Sequence, residues 1–108
     1  MEGLNETLVA TSFVIGSYAV GSIPFGLLIG KLIKGIDIRE FGSGSTGATN
    51  VARTCGPMWG LLALILDMGK AAIPLYLAVY IIGTPEWSHS FMGLAAILGH
   101  VYPIFTSF

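Results

Sequence analysis

Residues 42–50 read Gly42-Ser43-Gly44-Ser45-Thr46-Gly47-Ala48-Thr49-Asn50. The first six fit G-x-G-x-x-G, the preceding GIDIREF (35–41) alternates like a short strand, and Asp67 lies twenty residues beyond Gly47. Taken alone, this is the pattern of a dinucleotide-binding turn opening a helix on a parallel sheet. The flanks decide whether that fold exists.

They are too apolar for it. Thr7–Gly30 contains no charged residue across 24 positions, and a membrane-spanning helix needs roughly 20 apolar residues. Met58–Ile82 is a second apolar run, broken only by Asp67 and Lys70. Gly83-Thr84-Pro85-Glu86 reads as a turn, and Trp87–Phe108 then carries no Asp, Glu, Lys or Arg. Trp87 and Tyr102 suit the membrane–water interface, and His89 falls at the loop end of this last run. Over all 108 residues, 54% are hydrophobic, 10% are charged, and mean hydropathy is +0.80. A soluble domain carries about 25% charged residues. The expected fold class is therefore all-α and integral to the membrane. We expect one domain over 1–108, with three transmembrane helices near 8–30, 58–82 and 87–106 and a glycine-rich loop at 31–57. The acidic Met1–Glu6 leader is unlike a removable signal peptide. Cys55 is the single cysteine, which excludes an internal disulfide and a cysteine-rich metal site.

This frame removes the dinucleotide reading. A doubly wound fold needs several parallel strands, and the chain offers one candidate of about five residues. Asp67, which should end a strand and meet a ribose, sits inside LLALILDMGKAAIPLYLAVYII (61–82). The loop also fails as a P-loop, because Gly47 is followed by Ala48-Thr49 and the phosphate lysine is missing. The physics of anion binding survives. Gly42, Gly44 and Gly47 expose backbone N–H groups and permit nest-like turns. Ser43, Ser45, Thr46, Thr49 and Asn50 add neutral donors, and Arg53 adds a cation suited to phosphate. A helix starting near Thr46–Thr49 would turn its N-terminus toward the anion. The spacing points to a phosphate or acyl-phosphate site; the plainer alternative is a capped polar linker.

Charge placement orients the chain. Lys31, Lys34, Arg39 and Arg53, four of the five cations, lie between the first two apolar runs. The positive-inside rule puts this loop in the cytoplasm, the N-terminus outside, and His100 on the loop's side of the membrane. Ser22, Gly26 and Gly30 form a small-residue stripe for close helix packing, and Pro24 predicts a kink. Asp67 and Lys70, three apart, share a helix face, so an inward-pointing ion pair is expected, either structural or catalytic.

GSIPFG (21–26), GSGSTGATNVAR (42–53), LDMGK (66–70) and GHVYPIF (99–105) occur in this order. Together they resemble the bacterial membrane acyl-phosphate:glycerol-3-phosphate acyltransferases of the PlsY type, with GSG-x-x-GATN-x-x-R as the specific element. The resemblance runs from about Gly21 to Phe105 and matches the N-terminal half of the family. It implies a multi-pass protein of the bacterial inner membrane that makes lysophosphatidic acid from an acyl-phosphate and glycerol 3-phosphate. A soluble partner enzyme would supply the acyl-phosphate; no metal, other cofactor or nucleic acid is implied. Ser43, Thr49, Asn50 and Arg53 map onto the phosphate-holding positions. This chain has Ser45 where the family usually has Asn, and Ala71 where it usually has Gly. Family members continue into a Lys/Gly-rich segment and a later His/Asn motif, so the chain is expected to be incomplete at its C-terminus.

The expected site is thus Ser43, Arg53 and His100 as catalytic residues. Gly42, Gly44, Gly47, Thr49, Asn50 and Arg53 would hold phosphate, with Asp67–Lys70 as a supporting pair. An acyl-phosphate is already activated, so positioning and charge stabilisation suffice, and direct attack by the glycerol hydroxyl fits better than a covalent intermediate. His100 either assists or merely bonds a neighbour. Two other readings stand: a catalytically inactive truncated protein or small helix-packing partner, and a transporter subunit supported only by Asp67 and Lys70.

Overall fold

The computed structural model describes residues 2–106. The ends of the expected 1–108 domain (Met1, Ser107 and Phe108) lie outside the described residues. The described chain is helical and, within those residues, has no strand. Its elements are α1 (Glu2–Gly21), α2 (Phe25–Lys34), a 3-10 turn (Ile38–Glu40), α3 (Ala48–Cys55), α4 (Pro57–Tyr76, continued in π form over Leu77–Ile82), α5 (Glu86–Val101) and a last 3-10 turn (Ile104–Thr106). The strand considered for residues 35–41 is the turn after α2.

The chain forms two compact units. The first holds the segment up to Ile23 together with that from Gly69 onward, and in it α1 packs along α5. Apart from Met92, the buried residues along this contact are small: Ser88, Ala95, Ala96 and Gly99 on α5, Ala10, Ser17 and Gly21 on α1, and Ser22 just past its end. Contact is backbone to backbone. A Cβ on Gly21 would come within 2.6 Å of the Ala96 carbonyl oxygen, and one on Gly99 would strike the Tyr18 carbonyl. The outward residues of α5 are Trp87, Phe91, Leu94, Ile97, Leu98 and Val101. Small residues inside and large apolar ones outside invert the soluble pattern. They suit helices whose solvent is hydrocarbon, where association depends on close packing and not on hiding apolar surface.

The second unit spans Pro24–Met68. Leu27 and Ile29 of α2, Ile38 of the turn, Val51 of α3 and Ala63 of α4 form its core, with Ala48, Cys55, Trp59 and Leu66 against it.

Three apolar segments are helical, as expected, with boundaries that differ in instructive ways. The first, Gly3–Lys34, is 32 residues long and apolar enough to cross a membrane, as is Pro57–Ile82 at 26 residues. The expected kink at Pro24 is a break over Ser22-Ile23-Pro24. Proline supplies no N–H and disfavours the helical conformation in the residue before it, and α2 begins only at Phe25. The break also splits the expected stripe. Ser22 meets Gly99 of α5, whereas a Cβ on Gly26 would strike the Thr46 carbonyl of the glycine loop. Gly26 is therefore a seat for the loop. The third helix has 16 residues and ends at Val101, short of the expected 106. Tyr102, held off the helical region before Pro103, has φ −123° and ψ 70°.

Candidate functional site

The glycine loop is built from beneath by one side chain. Asn50, in the first turn of α3, is 1% exposed. Its Nδ2 lies 2.8 Å from the Ser45 carbonyl, 3.0 Å from that of Phe41 and 3.2 Å from that of Ile38. Two amide hydrogens therefore face three carbonyl oxygens, and at least one is shared. Oδ1 accepts the Ser43 N–H at 3.3 Å. Gly42, at φ +53°, passes so near that a Cβ would collide with this oxygen. The asparagine expected to hold phosphate instead has its whole amide engaged with loop backbone.

The hydroxyls shape the same loop. Ser43 Oγ accepts the Ser45 N–H at 3.3 Å, and Ser45 Oγ accepts the Gly47 N–H at 3.0 Å. Both are local turns that serines favour, and both leave the hydroxyl hydrogen free for another acceptor. Gly47 then starts α3 in extended conformation without a side-chain cap. The opening N–H groups of α3 have no intrahelical acceptor. Beside them, Thr49 and Arg53 are exposed. Among the described residues Arg53 makes no hydrogen bond or ion pair. Ser43, Thr49 and Arg53, with Gly42, Gly44 and Gly47, thus belong to one loop-and-helix element with open donors and one open cation.

Arg39 is committed elsewhere. Its guanidinium binds Asp37 in fork geometry, Nε to Oδ1 at 3.0 Å and NH2 to Oδ2 at 2.7 Å, while its backbone N–H also reaches Oδ1 at 3.0 Å. The Arg39 side-chain hydrogen bonds, then its backbone one, hold the Asp37 carboxyl down at about 2. Asp37 in turn raises Arg39 above its ordinary value. The pair caps the 3-10 turn that carries Ile38, one of Asn50's acceptors. Sequence reading missed this support; the signal available for it was Asp37-x-Arg39, two residues from the loop.

His100 and Lys70 belong to the other unit. Lys70, 7% exposed on α4, reaches the Ile23 carbonyl with Nζ at 3.1 Å and lies 2.9 Å from Nδ1 of His100. Asp67 stands three residues before it on α4, partly buried. Ile23 offers its carbonyl because the helix breaks there, a partner that spacing alone could not indicate. Among the described residues, no three His, Cys, Asp or Glu side chains gather as metal ligands would.

Fold and site define a helical integral membrane protein with a polar, glycine-rich loop between apolar helices. The family is explicit: the model for glycerol-3-phosphate acyltransferases matches residues 11–108, and this chain belongs to that family. It is 48% identical over 99 residues to the glycerol-3-phosphate acyltransferase of Aquifex aeolicus, covering 92% of this chain and 51% of that protein. Its fold matches the crystal structure of PlsY, an integral membrane glycerol 3-phosphate acyltransferase, in its glycerol 3-phosphate form. That match has a TM-score of 0.85 at 48% identity and covers 93% of this chain and 50% of the other. The lysophosphatidic acid form matches with a TM-score of 0.82 at 47% identity, over 93% of this chain and 48% of the other. The chain spans about half the length of the curated relatives it matches.

Proposed function

We propose that this chain carries the phosphate-holding half of an acyltransferase that moves an acyl group from an acyl-phosphate to glycerol 3-phosphate, giving lysophosphatidic acid for phospholipid synthesis. The observation that carries this is the loop on Asn50, with open N–H groups at the start of α3 and the exposed Arg53 one turn further on. The structural relatives solved in glycerol 3-phosphate and lysophosphatidic acid forms support the acyl acceptor and the product.

In the reaction, the glycerol hydroxyl oxygen bonds to the acyl carbon, the acyl–phosphate C–O bond breaks, and phosphate leaves, taking up the hydroxyl proton. Charge builds on that phosphate. Arg53, the α3 N-terminus, and the hydroxyls of Ser43 and Thr49 bind it, with Gly42, Gly44 and Gly47 letting the backbone approach. Donors fixed before the reaction stabilise such charge without reorganising. Asp67 and Lys70 act as a supporting pair, and His100 assists the transfer. The loop faces the cytoplasm of a bacterial inner membrane with the N-terminus outside, as its cations favour, and a soluble enzyme delivers the acyl-phosphate.

The test is to incubate membranes containing this chain with acyl-phosphate and glycerol 3-phosphate. Lysophosphatidic acid that disappears with Arg53→Ala is the expected outcome. None above background sinks the activity of the 108-residue chain. It would favour the second reading, a non-catalytic protein that packs with partner helices, for which the half-length match speaks.

A further inference from the structure

Lys70 is a cation on an apolar helix, and where its hydrogens go decides what His100 can do. The ammonium has three donors and no acceptor. One lies 3.1 Å from the Ile23 carbonyl, an acceptor exposed by the break before Pro24. Another faces Nδ1 of His100 at 2.9 Å. An ammonium can bond Nδ1 only if that nitrogen offers its lone pair. The neutral ring must then carry its proton on Nε2, because the bond at one nitrogen sets the tautomer at the other.

We infer that Lys70 is a positioning residue that locks His100 in the Nε2–H form, so that His100 acts as a hydrogen-bond donor and not as a general base. With Nδ1 occupied and Nε2 protonated, the ring has no free lone pair to accept a hydroxyl proton. The exposed His100 can offer Nε2–H to an anionic oxygen. The inferred role in acyl transfer rests on the function proposed above; the tautomer does not, and can be measured without substrate. This assigns the buried lysine a task beyond bracing, and links the helix break at Pro24 to the protonation of a side chain on α5.

The chain has two histidines, so His89→Gln leaves His100 as the single reporter. The full chain, labelled with 15N-histidine and embedded in lipid bilayers, is read by 15N NMR. The expected spectrum has the proton on Nε2 and Nδ1 as a hydrogen-bonded acceptor. A proton on Nδ1, or a doubly protonated ring, would overturn the inference from this one sample, whatever the variants do. Lys70→Arg, which keeps a cationic donor, should retain Nε2–H. Lys70→Met should shift proton occupancy toward Nδ1 and abolish the acceptor signature; an unchanged ring would show that Lys70 does not set the tautomer. Loss of acyl transfer would leave this result untouched, so failure of the proposed activity and failure of the tautomer inference are distinguishable.

Discussion

The side-chain nitrogen of Asn50 stands 2.8 Å from the Ser45 carbonyl oxygen, and the same nitrogen reaches the carbonyls of Phe41 and Ile38. One amide thus ties the start of α3 to three points of the loop before it. Removing it leaves buried carbonyls without a donor, a cost of about 1–3 kcal/mol. Asn50→Ala should lower the unfolding midpoint accordingly, measured by thermal or denaturant unfolding in detergent. Asn50→Asp is the sharper test, since it keeps the shape and turns two donors into lone pairs facing three carbonyls. It should be at least as destabilising at neutral pH and partly recover in acid, where the protonated carboxyl regains one donor. A neutral Asn50→Asp variant would rule out this anchoring role.

Gly42 occupies the left-handed region at φ +53° against Asn50 Oδ1. Alanine there meets the backbone penalty of roughly 1–2 kcal/mol and a collision with the anchoring amide as well. Gly16, helical and with nothing near its absent Cβ, is the control, where alanine should be neutral or stabilising by up to about 1 kcal/mol. Comparing unfolding midpoints of Gly42→Ala and Gly16→Ala separates the loop's requirement from the general effect of adding a methyl. Equal midpoints would mean the loop does not need this glycine.

How far the sequence reveals these features depends on the range of the interactions behind them. The helical membrane fold is legible because uncharged runs are a direct response to a solvent without water. The anion-suited loop is legible because glycine, hydroxyl and arginine chemistry lies within twelve residues, 42–53. The burial of Asn50 is not. An asparagine among serines and threonines reads as one more donor, and only Ile38, twelve residues upstream, shows that it points into the core. Pro24 announces a disturbance, but not that Ile23's freed carbonyl would meet a lysine 47 residues away. Likewise the three-residue spacing of Asp67 and Lys70 shows a shared face, while the 30-residue step to His100 depends on how α4 and α5 sit within their unit.

Asp37 and Arg39 give a pH signature confined to the loop. The carboxyl falls from 3.8 to about 2 when Arg39 binds it. A depressed carboxylate contributes fully above its unfolded pKa and loses that contribution as pH falls through the folded value. The pair should therefore be intact from neutral pH to about 4 and open between about 4 and 2. An NMR titration of Asp37 should give a midpoint near 2 in the native chain, moving up toward 3.8 in Arg39→Gln. High salt should move it the same way, since the pair is exposed and screened. An unchanged midpoint in Arg39→Gln would dissociate Asp37 from this arginine.

Arg53 offers the cleanest separation of function from folding. It is exposed on α3 and, among the described residues, has no bonded partner, so its removal should leave the unfolding midpoint within about 0.5 kcal/mol of the native chain. If it balances charge on the departing phosphate, Arg53→Ala should cut acyl transfer by about a hundredfold, the scale for losing one preorganised donor to a developing anion. Arg53→Lys keeps the charge but loses the planar fork; it should fall between the two, with a larger effect on KM for acyl-phosphate than on KM for glycerol 3-phosphate. Both substrates carry phosphate, so that difference identifies which one Arg53 holds. An equal rise in both KM values would place the arginine in general electrostatic attraction. Unchanged kinetics in Arg53→Ala would remove the loop's cation from the reaction altogether.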